Sequence, residues 1–559
     1  MKKLICLMFL FCSLVANGQQ QELIDFIGLK NQAESAFQQR NSEQVVALYE
    51  ELSNLIPDDA EVLYRLSLGY QWNDNYAAAL QAGAAAYEAG YREPASMAYR
   101  LAQLSALLGQ QDEALAWLEI SLAKRLDDRP SIYDDPAFSS LRSIPAFLQL
   151  SGVIANAESM NRNEGLEYDL DYLIEEAQRM HAAPERPAFS DEFLGAVENL
   201  RERIPDITGQ QFYLEVMKLV AILDDGHSAI YTPDGDSPLE ITLASLPLKF
   251  FWFDDGMYIV DGLDGNEIYA GSEVLQVEDL LVTEVMARLS EFRGVDNTMT
   301  WRWMGPQFYL GRAELLNAVG ASESIENITL TLRTLSGAIQ TVEIQSGDYD
   351  IPRKLRVSPA MTGDVPLYLS DVDTNYWMEI FPESNTLYFQ FNQVRDSEQQ
   401  NIAGFSELLS QNLESNNIEH LIVDVRHNNG GNNSLFTPLV EAIIAFDQVP
   451  DHKTYIITGR NTFSAAQNFI NHIEHWTDAV FVGKPSASSP NFTGEETSLL
   501  LPYSRIRGSI STRYWQDSNP GDERQWIAPD VPVTVTAVDY FAGRDAALEY
   551  ILGAIESGD

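Results

Sequence analysis

The spacing of apolar residues changes twice along the chain, and each change predicts a different kind of structure. Up to about residue 225 the apolar positions recur every three or four residues, which is typical of amphipathic helices. From about residue 240 they fall in short runs between turn residues, which predicts strands. In the last third, apolar runs such as HLIVDV alternate with helical patterns such as FTPLVEAIIAF. Apolar strands joined by helices predict a parallel sheet that helices cover on both faces.

The helical part, over residues 22–150, contains an internal repeat. VLYRLSLGYQWNDNYAAAL, which starts at Val62, aligns with MAYRLAQLSALLGQQDEAL, which starts 35 residues later at Met97, and a weaker copy precedes both. Paired helices at a period near 34 residues resemble tetratricopeptide repeats, whose stacked helices leave a concave groove. The groove could hold a protein partner. A plain helical spacer without a partner is an equal alternative.

The helical pattern continues over residues 155–235, and residues 240–350 then follow the order of a small β module. A strand, a turn at Gly271, a second strand, a helix and a hairpin that turns at Ser336 and Gly337 resemble a PDZ-like domain. Such domains bind extended peptides by adding a strand to a sheet edge. A glycine-rich carboxylate-binding loop is not evident, so recognition of peptide C-termini is not expected. Residues 351–559 form the predicted α/β core.

Composition narrows the classes of partner. A chain of 559 residues is too long for one hydrophobic core, so three or more domains are expected. Its 45% hydrophobic and 10% aromatic content is that of a folded globular protein. The formal net charge of −46 would repel nucleic acid phosphates and anionic lipid headgroups. We therefore expect neither a nucleic acid nor a membrane-surface partner.

The first 18 residues have the features of a secretory signal peptide. Two lysines precede the apolar run LICLMFLFCSLVA, and small residues follow it. We expect the mature chain to be exported, either to the periplasm or out of the cell. Both cysteines, Cys6 and Cys12, lie inside this segment, so the mature protein would have no disulfide, thiolate nucleophile or cysteine-ligated metal. A lipid anchor on Cys12 is an alternative, although the preceding Phe11 is bulky. No cofactor or metal is implied, and the oligomeric state is left open.

Three loops follow strands of the predicted sheet, at the edge where active groups collect in such folds. The first carries Gly430 and Gly431, whose backbone freedom can aim amide groups at an oxyanion, and also Asp424 and Arg426, expected to form an ion pair. The second, TFSAAQNF, places Ser464 just before a helix, where serine is also an ordinary N-cap. The third is VGKPSASSPNFTGE. Each loop alone also fits a simple turn or cap.

A serine hydroxyl needs a base within hydrogen-bond reach before it can act as a nucleophile. Of the seven histidines, His227 stands out, in LDDGHSAIYTP, with acidic residues before it and Ser228 after it. It could equally be a helix C-terminal histidine stabilised by the helix dipole. His427 lies in the glycine loop and is a second candidate. The other five histidines are expected to be structural or on the surface.

Five segments occur, together with the PDZ-like region, in a family order: DDGHSAIYTP, LIVDVRHNNGGNN, TFSAAQNF, VGKPSASSPNFTGE and RQWIAPDVPV. In this order the chain resembles the tail-specific, or C-terminal processing, serine peptidases and their tricorn-like relatives, over roughly residues 155 to 550. The resemblance implies a core of the crotonase and Clp-protease kind. It places Ser464 at the position of the nucleophile.

The resemblance also distinguishes two kinds of base. Members with a Ser-Lys dyad carry the lysine about 25 residues after the serine, where this chain has Ser489, and Lys484 comes five residues too early. Tricorn-like members use a histidine at the position of His227. The resemblance therefore favours a histidine base over a lysine base.

Tricorn-like members also carry a glutamate a few residues ahead of a Pro-Asp motif. The corresponding residue is Glu523, six residues before Pro529, with Asp522 as the adjacent alternative. These members have a serine before the histidine, where this chain has Gly226. The orienting hydroxyl would then come from another residue, such as Ser228.

The implied reaction is acyl transfer, in which His227 deprotonates Ser464 and Glu523 orients the imidazolium. The amides implied for the oxyanion belong to Ala465 and to Gly430 or Gly431. The leading hypothesis is an exported serine peptidase that cleaves extended or unfolded polypeptides, with the repeat and PDZ-like domains presenting the substrate. The alternative is a catalytically silent peptide-binding protein with the same fold.

Overall fold

The computed structural model describes residues 24–154, 160–233 and 237–558. It divides into two compact units, one with residues up to 161 together with 498–503, and one with 162–497 and 504–559. The predicted signal peptide, residues 1–18, lies outside the described residues. Among the described helices, none has both the length and the apolar character that a membrane crossing requires.

The first unit is built from helices that pack in pairs, which confirms the predicted helical repeat. Polar side chains cap the starts of successive helices: Asn41, Asp59 and Asn75 each accept a hydrogen bond from a backbone amide of the first turn. Gly83 lies where two helices approach closely, since a Cβ there would come within 2.8 Å of the Met97 side chain. The helices are α1, residues 24–38; α2, Ser42–Leu55; α3, Ala60–Trp72; α4, Tyr76–Glu88; α5, Pro94–Leu107; α6, Gln111–Ala123; and α7, Pro145–Leu150.

The second unit begins with three helices and continues into an antiparallel sheet that corresponds to the PDZ-like region. The helices are α8, Arg162–Met180; α9, Asp191–Arg203; and α10, Gly209–Ala221. The sheet has the order β2-β3-β4-β6-β7, with β5 paired to β4. Its strands are β2, Leu248–Phe253; β3, Gly256–Gly262; β4, Glu273–Val277; β5, Leu280–Leu281; β6, Asn327–Arg333; and β7, Ile339–Gln345. The predicted hairpin at Ser336 and Gly337 joins β6 to β7. Between β5 and β6 lie α11, Val282–Leu289; α12, Thr298–Met304; and α13, Ala313–Ala318.

A six-stranded sheet of order β15-β12-β11-β10-β9-β8 forms the α/β core. The strands are β8, Tyr376–Phe381; β9, Thr386–Phe391; β10, His420–Asp424; β11, Lys453–Thr458; β12, Val480–Gly483; and β15, Val531–Pro532. Neighbouring strands are parallel, as predicted, except that β8 runs antiparallel to β9. Only four residues separate these two strands, too few for a crossover, so a hairpin is the available connection.

Helices cover both faces of this sheet, as the apolar strands predict. Along β10, Leu421 and Val423 pack against one set of helices, while Ile422 between them packs with residues of the last helix, because side chains alternate along a strand. The helices of the core are α14, Leu367–Ser370; α15, Ile402–Ser415; α16, Thr437–Asp447; α17, Ala465–Trp476; α18, Ala537–Phe541; and α19, Ala546–Ser557. The predicted fold class, helical repeats with a β-rich module and an α/β core, is confirmed.

A third, small sheet of order β1-β14-β13 was not predicted from the sequence. Its strands are β1, Ala229–Tyr231; β13, Asn491–Leu500; and β14, Arg507–Gln516. Ala229 pairs with Ser509 in the antiparallel β1–β14 register. This pairing brings the segment that contains His227 to a distant part of the chain.

Candidate active site

Ser464 stands at the junction between β11 and α17. The strand ends at Thr458 and the helix begins at Ala465, so the serine is the last residue before the helix. Its backbone has φ of +56° and ψ of −125°, which is strained for a residue with a side chain. Its hydroxyl makes no capping hydrogen bond to the helix. Ser464 thus occupies the N-cap position without serving as a side-chain cap.

His227 lies against Ser464, with 2.9 Å between His227 Nε2 and Ser464 Oγ. The imidazole is stacked between two phenyl rings, Phe463 at a centroid distance of 4.6 Å and Phe492 at 5.8 Å. Burial lowers the pKa of His227 to about 4. The imidazole is therefore neutral at neutral pH, and its Nε2 can accept a hydrogen bond from the Ser464 hydroxyl.

The buried carboxylate of Asp225 fixes the turn that carries His227. It accepts hydrogen bonds from the backbone amides of His227 at 2.7 Å and Ser228 at 2.6 Å, from the Ser511 hydroxyl at 2.5 Å and from His181 Nε2 at 2.9 Å. Burial would raise the pKa of Asp225, but these hydrogen bonds, led by the one from His181, lower it to about 2. The charged Asp225 therefore holds the backbone of the turn, and its hydrogen bonds do not go to the imidazole.

A second polar group holds the same turn from the segment between α11 and α12. The Arg293 guanidinium donates to the carbonyls of Ser228, at 2.8 Å, and Gly226. Asp296 Oδ1 accepts from the Gly226 amide at 2.7 Å, and burial raises the pKa of Asp296 to about 7. A Cβ on Gly226 would lie 2.8 Å from both Asp296 and the Phe463 ring. Packing therefore leaves no room for the serine that tricorn-like peptidases carry at this position.

The predicted orienting groups for His227 are not at its ring. Ser228 Oγ bonds instead to Ser511, accepting from its amide at 3.0 Å and donating to its hydroxyl at 3.3 Å. His227 Nδ1 has no hydrogen-bond partner of good geometry in the described chain, although the Thr493 carbonyl interacts with the ring and raises its pKa slightly.

Glu523 and Asp522 lie in a loop whose ion pairs turn them away from His227. Asp522 accepts from Arg524 at 2.9 Å and from the Ser518 hydroxyl at 2.7 Å, and Arg524 also pairs with Glu474 at 2.7 Å. Glu523 itself is exposed and forms no ion pair or hydrogen bond with any described residue. The structure therefore does not bring either carboxylate to the imidazole, and the expected Glu523 contact is not formed.

The glycine loop after β10 packs directly against Ser464. Gly430 has φ of +105° and Gly431 has φ of +140°, and a Cβ on Gly430 would lie 2.7 Å from Ser464 Cβ. Asn428 ties the two loops together, since its carbonyl accepts from the Phe463 amide at 3.1 Å and its side chain from the Gly430 amide at 3.0 Å. Only glycine lets the loops approach this closely.

Of the three amides predicted for the oxyanion, two are free in the described chain. The Gly430 amide is engaged by Asn428, as above, whereas those of Gly431 and Ala465 form no hydrogen bond to described residues. The Ala465 amide is also the first of the helix α17, where amides have no intrahelical acceptor. The geometry therefore offers Gly431 and Ala465 as donors to a developing negative charge.

The third loop supports the serine backbone and supplies no lysine. Ser488 Oγ accepts from the Ser464 amide at 3.2 Å. Ser489, at the position of the dyad lysine, is half-buried and donates to the Gln525 carbonyl at 3.1 Å. Lys484 forms an ion pair with Asp254. No lysine amine is therefore placed beside Ser464 in the described chain.

Two other predicted loop features are present but distant from the Ser464 hydroxyl. Arg426 pairs with Asp424 at 2.8 Å, as predicted, and also with Asp545 through two hydrogen bonds of 2.9 Å. His427 stacks on Tyr368 at 5.6 Å, and burial lowers the pKa of His427 to about 3. Among the described residues, no three His, Cys, Asp or Glu side chains are grouped to hold a metal ion.

Sequence reasoning missed the residues that hold the site together. Asp225, Asp296, Phe492 and Ser488 had no recognisable local signature, because their partners lie far away in the chain. Only the doublet Asp224-Asp225 beside His227 offered a hint. Buried His181 is structural, as its hydrogen bond to Asp225 shows.

Comparisons with known proteins identify the fold of this chain from solved structures and not from its sequence. No family model and no curated protein matches the sequence. The structure has an S41 protease-like fold, and the resemblance to the tail-specific and tricorn-like serine peptidases is confirmed at the level of fold.

The similarity to solved structures spans most of the chain at low sequence identity. Mature CPAF superposes with a TM-score of 0.51 at 15% identity, covering 71% of this chain and 98% of that one. Mature CPAF complexed with lactacystin gives 0.50 at 14% identity, covering 71% and 99%. The photosystem II D1 C-terminal processing protease also matches, with a TM-score of 0.33 at 12% identity, covering 69% and 99%.

Proposed function

We propose that this chain is a serine peptidase that cleaves extended or unfolded polypeptides, with Ser464 as the nucleophile and His227 as the base. The contact of 2.9 Å between His227 Nε2 and Ser464 Oγ carries the proposal. A neutral imidazole at that distance can take the hydroxyl proton as the oxygen attacks a peptide carbonyl. The strained backbone of Ser464 directs its hydroxyl toward the imidazole and away from the helix start.

The remaining steps use groups that surround this pair. The amides of Gly431 and Ala465 would stabilise the oxyanion of the tetrahedral intermediate. The imidazolium then donates its proton to the leaving amine, which releases the first product and leaves an acyl-enzyme on Ser464. Water, deprotonated by His227, hydrolyses that ester. Phe463 and Phe492 stack on the imidazole and help to hold its orientation.

The PDZ-like sheet fits a polypeptide substrate, because it ends in the edge strands β2 and β7 and an extended peptide can pair with such an edge. The signal-like N-terminus supports the further proposal that the enzyme acts outside the cytoplasm. N-terminal sequencing of the mature protein tests this point, since retention of residues 1–18 would contradict it.

A silent binding protein is the second candidate, and one observation favours it. His227 Nδ1 has no carboxylate partner in the described chain, because Asp225 binds the backbone and Glu523 is exposed. Without such a partner the imidazolium formed during acylation is less stabilised.

Labelling of the purified mature protein with a fluorophosphonate probe discriminates between the two. A peptidase should label at Ser464, and Ser464→Ala and His227→Gln should abolish labelling. Ser489→Ala is the matched control, because this serine at the dyad-lysine position bonds to the Gln525 carbonyl and not to Ser464 or His227, so labelling should be unchanged. If the wild type labels no faster than Ser464→Ala, the chain is not a serine peptidase and the binding alternative stands.

A further inference from the structure

We propose that a cation-lined cavity at the carboxyl edge of the six-stranded sheet binds a carboxylate carried on an apolar body. The cavity has a volume of about 230 Å³. Its lining comes from the loops that follow β10, β11 and β12 and from aromatic residues of the PDZ-like region and its flank.

The charge of this cavity is opposite to that of the whole chain. Seven of the 36 lysines and arginines line it, in a chain of net charge −46. Three of the seven pair with carboxylates other than Asp254, although Asp373, the partner of Lys354, is also bound by Arg356. The pairs are Arg426 with Asp424 and Asp545, Arg544 with Asp539, and Lys354 with Asp373.

Of the other four cations, three share a single carboxylate and the fourth has none among the described residues. Arg302, Arg460 and Lys484 all contact Asp254, Arg302 at 4.0 Å and the other two more closely. Arg353 has the Phe308 ring at 5.1 Å and no carboxylate partner within the described chain. Four positive charges beside one negative charge leave an excess, and an anion in the cavity would offset it.

Of these four cations Arg460 is the most buried, whereas Arg353 is exposed to solvent. Arg460 is 9% exposed. Burial lowers the pKa of Arg460, Asp254 counteracts this, and the neighbouring Arg302 lowers it again. Positive charges held close together, in excess over nearby carboxylates, are expected to attract an anion.

The aromatic residues that line the cavity indicate which kind of group carries the anion. Phe251, Trp303 and Phe308 present aromatic surface to the cavity, beside the guanidinium groups. Guanidinium forks match the geometry of carboxylates, and the aromatic walls accept an apolar group. The shared chemistry is a carboxylate on an apolar body, from either an acidic side chain of a peptide or a free organic acid.

A single aromatic ring, that of Phe463, lies between the cavity-lining Trp303 and the candidate base, His227. The Trp303 ring packs on the Phe463 ring at 5.8 Å, and Phe463 stacks on His227 at 4.6 Å. Gly459 and Asn461, on the loop that leads to Ser464, also line the cavity. An occupant would therefore contact residues that position the catalytic pair. The binding itself does not depend on the proposed peptidase activity.

Isothermal titration of the mature Ser464→Ala protein tests the proposal without turnover. The free-acid probe is 3-phenylpropionate, compared with the neutral 3-phenylpropionamide. The peptide probe is acetyl-Phe-Glu-amide, compared with acetyl-Phe-Gln-amide. Each acid should bind at least about tenfold more tightly than its neutral analogue, and the affinity should fall with added salt. Binding of the peptide acid alone would assign an acidic side chain as the occupant, and binding of phenylpropionate alone a free acid.

Variants locate the site. Arg353→Gln and Lys484→Gln should each weaken binding of the acid about tenfold. Arg333→Gln is the matched control, because this arginine lies on β6, pairs with Glu273 and does not line the cavity. Thermal unfolding checks that each variant is folded. Equal affinity for acid and neutral probe, or equal affinity in the Arg353, Lys484 and Arg333 variants, would overturn the proposal. Failure of fluorophosphonate labelling would leave it untouched.

Discussion

The burial of His227 between two phenyl rings predicts an unusual pH dependence for Ser464 reactivity. The base form of the imidazole reacts, and its pKa is about 4 in the folded chain, against 6.5 for a solvated histidine. Labelling should therefore rise with pH to a plateau through a midpoint near 4. At pH 5.5 the base form is about 97% of the total for a pKa of 4 and about 9% for a pKa of 6.5. The two cases differ about tenfold in rate at one accessible pH.

Removing one of the rings should move that midpoint. Phe492→Ala lets water reach the imidazole, so its pKa should rise toward 6.5 and labelling at pH 5.5 should fall relative to the plateau. Phe446→Ala is the matched control, because Phe446 is a buried phenylalanine stacked on another histidine, His452, at 4.4 Å. It should lower stability without moving the midpoint.

The assay is the second-order rate of fluorophosphonate labelling between pH 3.5 and 8.5, with circular dichroism at each pH.

The lowered pKa of His227 also changes the pH dependence of protein stability. The unfolded chain takes up a proton on His227 below about pH 6.5, whereas the folded chain does so only near 4, so stability falls across that window as the pH is lowered. The lowering corresponds to at most about 3 kcal/mol. A wild-type midpoint at 6.5 with an intact fold, or the same midpoint in both phenylalanine variants, would refute the reasoning.

Three further predictions test other parts of the site. Gly430→Ala should abolish labelling, because its Cβ would lie 2.7 Å from Ser464 Cβ. Gly337→Ala, at a similarly positive φ but in open space, should leave the labelling rate unchanged. Equal labelling rates in the two variants would contradict this prediction. Asp296→Asn should stabilise the protein increasingly from pH 4 to pH 7, and by a constant amount of at most about 4 kcal/mol above pH 7. The reason is that buried Asp296 has a pKa of about 7 and therefore lowers stability once the pH exceeds its unfolded pKa of 3.8. Urea unfolding of both proteins at pH 4, 6 and 8 measures the difference in stability, and a pH-independent difference would contradict the expectation. Glu523→Gln should change the labelling rate less than twofold, because the side chain is exposed and without a partner in the described chain, and a loss of tenfold or more would return Glu523 to the catalytic group.

Local pattern was sufficient to predict the fold class and the pair at the centre of the site. The alternation of apolar strands with helices predicted the α/β core, and the order of five motifs predicted that Ser464 and His227 come together, although 237 positions separate them. Such motifs are visible because glycines and chemically distinctive residues are concentrated in short loops. The antiparallel direction of β8 and the small sheet that carries β1 were not predicted, because strand pairing depends on partners distant in sequence.

Glu523 shows why spacing to a motif does not fix where a side chain points. It stands six residues before Pro529, as the resemblance implies, and yet its neighbours determine its direction. Arg524 binds both Asp522 and Glu474, and Ser518 binds Asp522, so the loop is closed on itself and Glu523 is left facing solvent. The contact with Glu474 joins this loop to α17, about 50 residues earlier in the chain, and the loop sequence alone does not display it.

Ser464 differs from an ordinary helix-capping serine in its backbone conformation. A capping serine normally has an extended backbone and bonds to an amide of the first turn, as Ser190 does at the start of α9 with φ of −67° and ψ of 152°. Ser464 has φ of +56° and ψ of −125° and no such bond. A conformation of this kind costs about 1 to 3 kcal/mol, and it persists only where the surroundings impose it. Here the imposing contacts are Gly430 against its Cβ and Ser488 at its amide. A capping conformation would not have carried that cost. The surrounding loops therefore stabilise a conformation in which the Ser464 hydroxyl lies beside His227.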